Sequence, residues 1–157
     1  MPTELELDRL FWNAINANAE FFTWLLWRTK FSEKDLVLVT NEKWHQRWYR
    51  DPVTKKDSET DILLMLSEPT TGKRYALHIE NKPDHRQWEP EQPENYRKRA
   101  LDRMSKWRYD DFQTVLMAPR SFIAGSPAQA AQFDLTIPYE EVARFVPAFL
   151  VAGLAPC

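Results

Sequence analysis

Two strand-like runs, TDILLMLS (60–67) and KRYALHIENK (73–82), flank the segment Glu68-Pro69-Thr70-Thr71-Gly72, and this arrangement constrains the fold more than any other feature of the chain. Pro and Gly are turn formers, so the runs should pair as an antiparallel hairpin. With the turn centred near residues 70 and 71, the numbers of paired residues sum to about 141, which sets Asp61 opposite Glu80. Alternate side chains of a strand share a face, so Ala76, His78, Glu80 and Lys82 point one way while Tyr75, Leu77 and Ile79 point into a core.

The rest of the chain supplies what a sheet needs on its faces. From Thr3 to Trp27 there is no Pro or Gly, and Leu7, Phe11, Ala14, Ile15, Phe22 and Leu25 recur at helical spacing, which predicts one long first helix. A β-branched run from Asp35 to Val39 opens a strand and leads into NEKWHQRWYRDPVTKKD, read as an exposed loop. Beyond the hairpin, Pro93 to Trp107 has helical composition with Pro93 suited to a first turn. Gln113 to Pro119 is an apolar strand, Ser126 to Gln132 a short helix, FDLTIPY a last strand, and Glu140 to Leu150 a closing helix with Pro147 as a kink. This order points to one α/β domain over residues 1–157, with a mixed sheet flanked by helices.

Composition narrows the function. A hydrophobic share of 43% belongs to a packed globular chain. The net charge of −2 excludes bulk attraction to nucleic acid, so any such binding must use a local basic surface. The single cysteine, Cys157, allows neither an intrachain disulfide nor a cysteine-based zinc site, which suits a reducing compartment. The acidic start MPTELELDRL lacks the pattern of a signal peptide, and the apolar run from Phe145 to Cys157 is too short to span a bilayer. A cytoplasmic protein without membrane attachment is the expectation, with the apolar end as a docking or homodimer surface. Three glycines leave no Gly-rich phosphate loop, and no serine nucleophile elbow is present.

The chemistry concentrates at the hairpin's open end. Two carboxylates meeting at a sheet edge repel, and burying them uncompensated is costly, so a proton, a cation or solvent must lie between them. Magnesium fits such a pair, because it takes few carboxylates and keeps waters or phosphate oxygens. Lys82 then either works on the attacking water or offsets charge growing on a phosphate. An Asp61–Lys82 salt bridge with Glu80 exposed is the plain structural alternative.

An aspartate on one hairpin strand, an acid-x-Lys triplet on the next and a long helix before both resemble the PD-(D/E)xK nuclease superfamily. Asp61 matches the motif aspartate and Glu80-Asn81-Lys82 the E-x-K, with Thr60 where the name has Pro. The resemblance implies a restriction-endonuclease-like αβββαβ core, here with a C-terminal helical extension, and a magnesium- or manganese-dependent nuclease whose favoured substrate is DNA. It also implies that the main-chain carbonyl of Asn81 binds metal, along with a first-helix glutamate, for which Glu20 is the best match and Glu6 the second. Gln92 and Tyr96 resemble the Q-x-x-x-Y motif of RecB-like branches. They share a helix face with Arg99 and Arg103, and the segment from Arg97 to Arg108 holds six basic residues against Asp102 alone, so these four are the candidate substrate-binding residues.

Further candidates carry less specific chemistry. Trp44, His45, Arg47, Trp48 and Arg50 mix basic and aromatic groups suited either to stacking on bases or to packing under a loop. His78 shares the face of Glu80 and reads as a satisfied, partly buried imidazole rather than a ligand. Two other functions stay open: a nucleic-acid-binding or regulatory module on the same scaffold that does not cut, and a protein-interaction domain built on the tryptophans and the apolar end.

Overall fold

The computed structural model describes residues 1–83, 88 and 92–152. His85, Cys157 and the last residues of the apolar end fall outside them. The hairpin forms as its turn chemistry requires: β3 (Asp57–Ser67) and β4 (Arg74–Asn81) pair antiparallel, from Ser67↔Arg74 to Ile62↔Ile79. Every pair sums to 141, the register expected from the turn. Gly72 takes a φ of +74°, open to glycine, and its N–H donates to the Glu68 carbonyl at 2.8 Å.

The hairpin is the centre of a curled mixed sheet. Parallel to β4 runs β5 (Asp111–Ala118), and parallel to β5 runs β6 (Leu135–Pro138). The long β3 carries two short strands along its other edge: β1 (Val37–Leu38) at Leu66 and Ser67, and β2 (His45–Arg50) from Asp57 to Ile62. The stretch read as a loop is thus partly a strand.

Helices cover both faces of the sheet. The expected single first helix is two, α1 (Glu4–Ala17) and α2 (Ala19–Arg28), because Asn18 leaves helical geometry. Its side chain accepts from the N–H groups of Glu20 and Phe21, so a good N-cap residue starts a second helix where propensity alone would continue the first. The stripe Leu7, Phe11, Ile15, Phe21 and Leu25 is buried against Ile62, Leu64, Leu77, Ile79, Val115 and Met117. Each such side chain contributes roughly 1.5–3 kcal/mol on burial. The same layer receives α7 (Tyr139–Val142) and α8 (Ala148–Ala152), which stand where one closing helix was expected and are separated by a segment ending in Pro147. Val146, Phe149 and Ala152 of the apolar end turn inward into this core rather than outward as a docking surface, while Leu150 is exposed.

The opposite face is covered by α3 (Gln92–Asp102) and α4 (Met104–Trp107), with Ala100, Trp107, Tyr109 and Phe112 packed on Leu63, Met65 and Ala76. Two short helices, α5 (Arg120–Gly125) and α6 (Pro127–Ala130), lead from β5 to β6. No described helix is long and apolar enough to cross a membrane.

Candidate carboxylate–lysine site

Side-chain alternation fails at one place in the sheet, and that place is the site. His45 reaches Asp8 on the α1 face, yet Arg47, two residues on, lies 4.4 Å over the Trp107 ring on the other face. Ile62 belongs to the α1-face core, whereas Thr60 bonds Arg99 and His78 on the α3 face. In regular strands these residues would share a face. Between the pairs His45↔Ile62 and Arg47↔Thr60 stand Gln46 and Asp61, and Gln46 has a φ of +46°. A left-handed residue in a strand re-aims its neighbours and costs about 1–3 kcal/mol. Asp61 therefore sits where the two layers meet.

Side chains take over there from the β3–β4 ladder. The Asn81 N–H donates to Asp61 Oδ2 at 2.9 Å, and the Asp61 N–H donates to Tyr96 Oη at 3.0 Å. Tyr96 Oη lies 3.4 Å from the Ile79 carbonyl, to which it donates. Glu80, near the end of β4, and Lys82, just beyond it, face α3. Gln92 bridges them: its Nε2 donates to Glu80 Oε1, and its Oε1 accepts from Lys82 Nζ at 3.0 Å. Lys82 Nζ is 3.9 Å from Glu80 Oε1 and 5.3 Å from the centre of the Trp88 ring.

Asp61, Glu80 and Lys82 are 7%, 3% and 4% exposed, so they interact in a medium poor in water. Burial, then the charge of Glu80, pushes the Asp61 carboxyl well above the usual carboxylate range, and the charges of Glu4 and Asp8 add to this. Burial also raises Glu80, against the lowering effects of Tyr96, Lys82, Asp61 and Arg99. An acid pair held in this way retains a proton or takes up a cation. The described residues contain no ready cluster of three or more His, Cys, Asp or Glu that could hold a metal ion, so an ion here would rely on the Asp61–Glu80 pair plus water or substrate oxygens.

Among the described residues, neither glutamate that the resemblance suggested for the first helix is bonded to Asp61 or Glu80. Glu20 is exposed in the first turn of α2, and Glu6 forms a capping box with Thr3. The α1 acids whose charges reach Asp61 are Glu4 and Asp8. They lie four apart, and Asp8 continues the buried stripe to Phe11 and Ile15. A carboxylate inside an apolar stripe was the available signal. Asp8 is fully buried, accepting from Asn81 Nδ2 at 2.6 Å with its other oxygen 2.9 Å from His45 Nε2; burial raises its carboxyl and these two contacts oppose that.

Gln92 and Tyr96 join the site, but Arg99 is 1% exposed and is no surface phosphate ligand. Its Nε donates to Thr60 Oγ1 and its Nη1 to Ser58 Oγ, each at 2.7 Å, while its guanidinium lies 4.3 Å over the Tyr96 ring. Arg103 stacks at 4.7 Å over Tyr49. Of the basic run, Arg97, Lys98, Lys106 and Arg108 are exposed, with Lys98 paired to Asp51 and Arg97 to Asp134. Trp44 stacks at 4.6 Å on Trp12, as packing under a loop predicts, and Trp48 is exposed. His78 is wholly buried between Thr60 Oγ1 (2.9 Å) and Tyr109 Oη (3.1 Å), and burial holds its imidazole well below the usual range, hence neutral.

Among known proteins, no family model, no curated protein and no solved structure matches this chain.

Proposed function

We propose that the protein is a magnesium-dependent nuclease of the PD-(D/E)xK type, acting on DNA. The observation that carries this reading is the water-poor Asp61–Glu80 pair at the end of a hairpin, with Lys82 held beside it by Gln92. The element order around it supports a restriction-endonuclease-like core: a helix, a three-stranded antiparallel unit of β1, β3 and β4, then α3 and a strand parallel to β4.

Asp61 and Glu80 would hold the ion, with Glu4, whose charge reaches Asp61 from α1, as a further acid and the Asn81 carbonyl as the resemblance suggests. Magnesium, when bound, neutralises the phosphate and activates the attacking water. The chain's own groups do the rest. Gln92 fixes the Lys82 ammonium near Glu80, so that it orients the nucleophile or meets charge growing on the phosphate. Tyr96 anchors the Asp61 main chain, and the Asn81 N–H fixes its carboxylate, so the pair is preorganised. The exposed Lys106 and Arg108 lie on and just beyond α4 and offer contacts to a phosphate backbone.

The purified protein, incubated with Mg²⁺ or Mn²⁺ and linear, branched or single-stranded DNA, tests this directly. Cleavage by wild type that disappears in Lys82→Ala and Asp61→Ala is the expected result. No cleavage, or equal cleavage by those variants, overturns it. Salt-sensitive DNA binding without cleavage would favour a non-cutting module on the same scaffold.

A further inference from the structure

Asn81 joins two polar systems on opposite sides of the sheet. Its main-chain N–H grips Asp61, while its wholly buried side chain is pinned at both ends on the α1 face. Tyr139 Oη donates to Asn81 Oδ1, and Asn81 Nδ2 donates to Asp8 Oδ1 at 2.6 Å. Asp8 in turn meets His45 Nε2 at 2.9 Å. Three buried polar side chains, from α1, β4 and α7, thus occupy space inside an apolar layer and are joined by the partly buried His45 of β2; there the Tyr139 ring packs edge-on against Phe149 at 4.8 Å.

Apolar groups of similar volume would stabilise such a layer as well or better, so a buried polar set of this kind calls for a role beyond stability. The geometry supplies one. The β3–β4 ladder runs only to Ile62↔Ile79, so toward β3 the Asn81 N–H has the Asp61 carboxylate as its partner. Fixing both ends of the Asn81 side chain fixes the peptide to which that N–H belongs, and with it the direction in which Asp61 is held.

We propose that Asp8 is a positioning residue for the carboxylate pair, acting through the Asn81 side chain, with Tyr139 as the second pin. The effect on metal rests on the reading of Asp61 and Glu80 as ligands; the effect on the Asn81 peptide does not. Outer groups that orient a ligand are commonly worth about 10–100-fold in metal affinity. Asp8→Asn keeps an oxygen for Asn81 Nδ2 and offers an amide to His45, so it conserves the pin without the charge. Asp8→Ala removes it.

Two readouts on the full chain test this. In ¹⁵N NMR without metal, the Asn81 amide proton should move upfield in Asp8→Ala, as a bond to a carboxylate weakens, and return toward wild type in Asp8→Asn. By electron paramagnetic resonance, Mn²⁺ should bind about 10–100-fold more weakly to Asp8→Ala and near-normally to Asp8→Asn. An unmoved Asn81 amide in folded Asp8→Ala overturns the proposal. So does Asp8→Asn losing Mn²⁺ as fully as Asp8→Ala, which would make Asp8 a ligand or a needed charge. Should Asp8→Ala not fold, Tyr139→Phe, which keeps the ring against Phe149, must show the same amide shift. An amide that moves in a protein whose wild type takes up no Mn²⁺ upholds the positioning role and refutes the metal site.

Discussion

Replacing Asp61 with Asn should abolish cleavage and, in metal-free buffer, make the protein more stable. The carboxylate is 7% exposed beside Glu80, which is 3% exposed. An asparagine keeps an oxygen for the Asn81 N–H, now 2.9 Å from Asp61 Oδ2, and turns an N–H toward Glu80 in place of a like charge. A hydrogen bond to a charged group contributes about 1.5–3 kcal/mol, so a gain of about 2 kcal/mol is expected. For a domain of this size that corresponds to about 4–8 °C in Tm.

The sign depends on pH. Both carboxyls are raised by folding, so the stability they contribute is full below their unfolded values and is lost as pH rises through the folded ones. The advantage of Asp61→Asn should therefore be small near pH 4 and grow toward pH 8. Saturating Mg²⁺ should reverse it, because only wild type gains: a ligand at 100 times its Kd adds about 2.7 kcal/mol. Thermal unfolding followed by circular dichroism, at both pH values with EDTA or Mg²⁺, measures all of this. A variant less stable than wild type in EDTA at pH 8 would refute the idea that the pair is held under repulsion.

Tyr96→Phe should cost about 1–3 kcal/mol in urea unfolding, because the buried Asp61 N–H loses its acceptor. Arg99→Met should lower stability by about 1–3 kcal/mol, whereas a surface phosphate ligand would lower only DNA affinity; the comparison with Lys106→Ala in salt-dependent DNA binding separates the two. Glu4→Gln should weaken Mn²⁺ binding and cleavage about tenfold, with Glu20→Gln unchanged in both; the opposite order would return the first-helix role to Glu20.

The hairpin was legible because its signals are local. Pro69 and Gly72 fix the turn, the turn fixes the register, and the register brings Asp61 within one step of the last pair, Ile62↔Ile79. The helix after it was legible as far as Asp102 for the same reason, and its spacing delivered Gln92 and Tyr96 to the site, though the single helix expected to reach Trp107 divides at Arg103 into α3 and α4. What failed was inference across distance. The resemblance picked Glu20 as a first-helix acid across Asn18, but that cap begins a new helix with its own phase, and Glu20 is exposed in its first turn. Arg99 was counted as a surface cation because charge in sequence carries no record of Thr60, Ser58 and Tyr96 closing around it.

The strand β2 was hidden for a more instructive reason. Period-two patterning identifies a strand only while the strand keeps its facing, and β2 reverses facing at Gln46, so His45 and Arg47 serve opposite layers. The reversal lies opposite Asp61, where β3 does the same. A regular ladder there would commit Asp61 to a single face of a closed sheet. The twist instead leaves it between layers, where Tyr96 holds its main chain from the α3 face while Asp8, through Asn81, steadies the N–H that holds its carboxylate from the α1 face. The local irregularity that defeated pattern reading is therefore the same one that makes a buried, two-sided carboxylate site possible.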